Sequence, residues 1–116
     1  MKLKICALSV CMWMTSSYAV AEDLEAKEAN EEIMVCQYKA AIKFDDGVSD
    51  VRTLAPIIAD WCQKESDRFY HITRGRINGP VDERVARQAI REKDLQMSSR
   101  IILMKRADER KASRSQ

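Results

Sequence analysis

Residues that interrupt helices are scarce in this chain. It holds three glycines and two prolines in 116 residues. Between Leu24 and Phe44 there is neither, so helical signals dominate. Histidine is limited to His71, and a zinc site would need two good ligands beyond the cysteines. No C-x-x-C pair is present, which excludes the usual dithiol redox motif, and no C-x-x-C-H haem attachment site. There is no G-x-S-x-G elbow, no phosphate-binding glycine loop and no H-E-x-x-H. The expectation is a protein without catalytic residues, cofactor or metal, acting by binding or as a structural accessory.

A long apolar run is also lacking. The most apolar segment, Ile5 to Met14, is too short for a bilayer, which needs ~20 apolar residues. Its surroundings give it another meaning. Lys2 and Lys4 precede it, and Ala19-Val20-Ala21 follows it just before the acidic Glu22. This is the pattern of a secretory leader, residues 1–21, cleaved after Ala21 or Ala19. Cys6 and Cys11 read as apolar filler within it. The chain is therefore expected to be exported, to the periplasm first and otherwise secreted. Nucleic acid is not an expected partner in that setting.

Charge is unevenly placed. Residues 22–50 carry nine Asp/Glu against three Lys, and residues 74–116 carry twelve Lys/Arg against six Asp/Glu. The chain thus runs from acidic to basic. The two ends can neutralise each other within one domain, or between copies in a head-to-tail dimer.

Three helices are expected. Ile33, Cys36, Ala40 and Phe44 form one stripe. Asp45-Asp46-Gly47 ends that helix, and these acidic residues with Asp50 suit turn and cap chemistry rather than a calcium loop. A second stripe runs Val51, Leu54, Ile58, Trp61 or Cys62, and Phe69. Pro56 either kinks this helix, if it starts at Ser49, or sits in its first turn, if Thr53 is the cap. The expected main helix runs from about Thr53 to about His71, with His71 a capping or surface residue. A second break, residues 72–80 with Gly75 and Asn78-Gly79-Pro80, leads to a third helix reaching about Arg106. Its stripe is Ala86, Ile90, Met97, Ile101 and Met104, interrupted by Asp94. The domain is expected to span residues 22–106, with a frayed or disordered basic tail over 107–116.

Cys36 and Cys62 are best read as a disulfide in an exported chain. Facing residues in an antiparallel hairpin have a constant sum of numbers. Pairing the cysteines centres the hairpin at residue 49, beside the turn already deduced. The same register places Ala40 near Ile58 and Phe44 near Leu54. The fold expected is therefore all-α: a disulfide-stapled antiparallel helical hairpin plus a longer third helix.

Arg84, Arg87 and Arg91 share a face of that third helix. They and the stripe residues Ile90, Met97, Ile101 and Met104 are the candidate binding residues. The partner would be an unknown protein, a second copy through the third helix, or, weakly, an anionic membrane or cell-wall surface.

The motif C-x8-D-D-G-x-S-D, starting at Cys36, followed by Ile58-x-x-x-Cys62, resembles a pattern in small exported bacterial helical proteins of unknown function. The resemblance covers residues 36–62, implies an exported helical protein and brings no catalytic residues. In size and class the chain is also similar to acid-activated periplasmic chaperones, although their cysteine spacing differs. A small chaperone or stress protein exposing an apolar helix face is therefore one alternative function. An anionic envelope binder using the basic helix is another.

Overall fold

The computed structural model describes residues 16–116, with side chains from Leu24 onward. Lys2, Lys4 and the apolar run of the expected leader lie outside the described residues. Within them there are four helices and no strand: α1 (Ser16–Phe44), α2 (Val51–Trp61), α3 (Gln63–Arg74) and α4 (Glu83–Arg114). The all-helical expectation holds.

The end of α1 is built from its own acidic turn. Gly47 takes φ 77°, the left-handed region where glycine has no steric cost. The Asp45 carboxylate accepts from Gly47 N–H at 3.0 Å. The Asp46 carboxylate accepts from Val48 N–H at 2.9 Å and Ser49 N–H at 2.7 Å. Ser49 also donates its hydroxyl to Asp46, so it is not the cap of the next helix. Asp50 takes that place, accepting from Arg52 N–H at 2.8 Å.

The second expected helix is two helices. Pro56 lies inside α2, where it has no N–H to offer the Arg52 carbonyl. Arg52 is exposed, so water can satisfy that oxygen, and the helix continues past the proline. The break comes at Cys62, with φ −99° and ψ 24°, outside the helical well. Its N–H is shared between the carbonyls of Ile58 (3.3 Å) and Ala59 (3.2 Å). The consequence is a change of partner. α2 packs mainly on α4, whereas α3 packs mainly on α1.

Cys36 and Cys62 form the disulfide, with Cα atoms 5.9 Å apart. Around it lies one core: Ala40, Ala41, Leu54, Ala55, Ile58 and Cys62, closed by Ile101 and Ile102 of α4. Phe44 packs against this cluster from the edge. Alanines at 40, 41 and 55 keep the backbones close, in line with the staple's short span.

α4 begins after Asp82, whose carboxylate accepts from Arg84 N–H (3.1 Å) and Val85 N–H (3.3 Å). It runs alongside α1 in the same direction. Asn30 meets Lys93, Gln37 meets Asp94, and Asp45 meets Arg106. Beyond Arg106 α1 has ended, and α4 carries on to Arg114 through the stretch expected to fray. Residues from Asp108 onward are exposed.

Candidate functional site

The disulfide end of the molecule is occupied by structure. Both sulfurs are bonded to each other. Although Glu65 lies close to them, neither has the free thiolate that a metal or redox role requires.

Most of the third-helix stripe also faces inward. Ile101 is buried in the core and Met97 packs against it, and Ile90 is half-buried. Met104 stands apart at 58% exposed. Of the three arginines, Arg87 pairs with Glu83 at 3.2 Å and Asp67 at 3.4 Å, and its guanidinium lies over the Tyr70 ring at 4.2 Å. Its pKa is raised, first by the hydrogen bond to Glu83. Arg91 pairs with Asp60. These two join α4 to α3 and α2. Arg84 is exposed at the start of the helix.

Between α3 and α4 a cleft of about 210 Å³ is lined by Gln63, Ser66, Tyr70, Arg87 and Asp94 among others. Asp94 is the residue that interrupts the apolar stripe. It is buried, as are Ser66, Ser98 and Gln37. Ser66 donates its hydroxyl to Asp94 Oδ2. Lys93 Nζ is 3.5 Å from Asp94 Oδ1 and donates to Asn30 at 2.8 Å. Gln37 Nε2 reaches the Asp94 carbonyl at 3.4 Å. Asp94, through its carboxylate and its backbone carbonyl together, is thus a polar junction of α1, α3 and α4. His71 lies outside the lining of this cleft, exposed, with its ring edge-on to Tyr70 at 5.5 Å.

The face with the clearest capacity to bind lies on the other side of α1. Met34, Val35, Tyr38 and Ile42 follow three–four spacing on the side away from Ile33, Ala40 and Phe44. They are 44%, 53%, 49% and 58% exposed, a concentration of large apolar side chains that single scattered exposures do not make. Met34, Val35, Tyr38, Ile101 and Met104, together with Lys39, line a mostly apolar groove of about 310 Å³ between α1 and α4. Sequence reasoning found Met104 and Ile101 here but missed the α1 half. The signal was present as a second apolar stripe in α1, hidden behind the stronger core stripe.

Charged regions flank this groove. Toward α3, Glu28, Glu31, Glu32 and Glu65 line a wide depression with Val35, Trp61 and one cation, Lys39, and the carboxylates outnumber it. Arg68 reaches into the same region and pairs with Glu32. Toward the end of α4, Arg110, Lys111 and Arg114 stand exposed past the end of α1, with Asp108 and Glu109 in the same stretch and Gly47 of the α1–α2 turn beside it.

No protein-family model matches the chain, and comparison with curated proteins and with solved structures gives no match either.

Proposed function

We propose that this protein is a non-enzymatic binding accessory of the bacterial cell envelope, exported in oxidised form, whose docking face is the α1–α4 groove. The observation that carries the reading is the exposed set Met34, Tyr38 and Met104 around an apolar groove on a disulfide-stapled frame. A rigid helical platform with adaptable methionines and one tyrosine suits contact with protein side chains. Among the described residues no helix is long and apolar enough to cross a membrane, and the leader pattern of residues 1–21 supports export.

Photo-crosslinking in intact cells tests the face. A crosslinker at Tyr38 or Met104 is expected to give discrete adducts, whereas one at Arg52, exposed on α2 and outside the groove's lining, gives none. Equal adducts from all three positions, or none from any, would overturn the reading. Fractionation followed by N-terminal sequencing tests the destination. The expected result is a periplasmic chain beginning at Glu22 or Val20.

A chaperone role is the second reading, favoured by one feature. The link between Asp45 and the basic end of α4 depends on an ionised carboxylate, so acid loosens α4 beside the groove. Dye binding and client aggregation at pH 7 and pH 3 separate the two readings. A gain of both dye binding and client protection at pH 3 selects the chaperone.

A further inference from the structure

The groove, the acidic depression and the basic arm are arranged so that one copy of this chain complements another. α1 and α4 run in the same direction, with Asn30 beside Lys93 and Asp45 beside Arg106. The exposed glutamates Glu25, Glu28 and Glu31 therefore lie toward one end of the pair. The exposed Arg110, Lys111 and Arg114 lie beyond the other end, where they outnumber Asp108 and Glu109, the latter already paired with Lys105. The apolar patch centred on Tyr38 falls between them. Turning a second copy end for end over this patch brings each acidic end toward the other copy's basic arm. Two equivalent charge contacts then flank one shared apolar contact, the self-complementary layout that a two-fold dimer requires.

We propose that the occupant of the α1–α4 groove is a second copy of this chain, packed antiparallel about a two-fold axis near Tyr38, with the basic end of each α4 directed at the acidic α1–α3 depression of its partner. The inference rests on the docking-face reading and names its partner. The charge pattern chooses this partner over a generic apolar one. A third protein would need to be acidic at one end and basic at the other in the same spacing, and this chain already is. Among the described residues α1 gives the basic arm no such outlet, because it stops at Phe44. The acidic depression, though partly answered by Arg68, keeps Glu28 and Glu31 exposed. Parallel packing would place like charges together at both ends, and such juxtaposition selects against it.

Sedimentation equilibrium on the oxidised chain recovered from the periplasm tests the proposal. The expected result is a reversible monomer–dimer equilibrium, weakened about tenfold between low and high salt because the flanking contacts are exposed. Tyr38→Glu places two carboxylates near the axis and is expected to weaken the dimer by at least about tenfold without changing the helical signal, since Tyr38 is half-exposed. The charge swap gives the orientation. Glu28→Lys with Glu31→Lys weakens the dimer, and so does Arg110→Glu with Arg114→Glu. All four together restore it. A chain that stays monomeric at every concentration overturns the inference, as does a dimer indifferent to Tyr38→Glu or not restored by the four-fold swap. If the chain is monomeric while crosslinks from Tyr38 still give discrete adducts in cells, the second-copy inference falls and the docking face stands. If both experiments are negative, both fall.

Discussion

Arg106 grips Asp45 through a fork: Nη2 to Oδ1 at 2.7 Å, and Nε to both carboxylate oxygens at 3.2 and 3.3 Å. The same Nη2 donates to the Ser49 carbonyl at 2.7 Å. Lys105 stands 3.5 Å from Oδ2, and the Asp45 side chain is shielded from solvent. One guanidinium thus ties the α1–α2 turn to α4. Asp45→Asn keeps the shape but loses the charge, and is expected to cost about 2 kcal/mol, the range for hydrogen bonds to charged groups. Arg106→Lys is expected to recover only part of the clasp, because an ammonium cannot reproduce the fork. Urea denaturation of the three proteins measures this, and equal midpoints would dismiss the clasp as a stabilising element.

Acid should dissolve the same clasp. The hydrogen bond from Arg106 holds the Asp45 carboxyl below its ordinary value, with the Gly47 N–H acting the same way. Asp46 is pushed down to about 2, chiefly by the Ser49 hydroxyl and then by backbone N–H groups. A carboxyl whose native value is lowered contributes its full stabilisation above the unfolded value, near 3.8 for Asp. That contribution fades as pH falls through the native value. Stability should therefore be flat with respect to these groups at neutral pH and fall below about pH 4. The gap between wild type and Asp45→Asn should close over the same window. A gap that is constant from pH 7 to pH 2 would contradict the assignment.

The hairpin was legible because two independent signals agreed. Cys36 and Cys62 set a register, and Ala40, Phe44, Leu54 and Ile58 occupied the positions that register required. The split of the second helix was not legible. Apolar spacing carries smoothly through Ile58, Cys62 and Phe69, and nothing local marks Cys62 as non-helical. Its backbone departs from the helix where α2 turns toward α4 and α3 toward α1, a tertiary demand. Pro56, open to reading as a kink or as a first-turn residue, lies inside α2 and is tolerated there, where the residue whose carbonyl loses its partner is the exposed Arg52. The candidate site divided in the same way. Met104 was visible on its own helix, but the groove exists only because Met34 and Tyr38 of another helix stand beside it.

Removing the staple should be costly. The disulfide closes a loop with a sequence separation of 26, and chain entropy for such a loop gives about 3.5 kcal/mol. The paired replacement of Cys36 and Cys62 by Ala adds the loss of a buried contact, since Cys62 is fully buried in the core. Thermal unfolding of the double variant, compared with the wild type in reductant, separates the parts. The reduced wild type should lose the larger share, and the alanines a smaller further amount. A reduced wild type as stable as the oxidised one would refute the entropic account.

Asp94 offers the sharpest test of the interior, because its meaning reverses between sequence and structure. On the stripe it is an interruption. In the fold it is the acceptor for the Ser66 hydroxyl, buried with Ser98 and Gln37. Removing the donor alone leaves a buried carboxylate oxygen without its partner. Ser66→Ala is therefore expected to destabilise by about 1–3 kcal/mol. Adding Asp94→Leu removes the stranded acceptor and restores the apolar stripe between Ile90 and Ile101. Replacing both partners with apolar groups is often close to neutral. The double variant should thus be more stable than Ser66→Ala, an outcome that additive losses cannot produce. Urea midpoints of the two single variants and the double close the cycle. If the double variant is the least stable of the three, Asp94 is held by more than Ser66. Its remaining neighbours, Lys93 at 3.5 Å from Oδ1 and Gln37 at 3.4 Å from its carbonyl, are then where the rest of the energy lies.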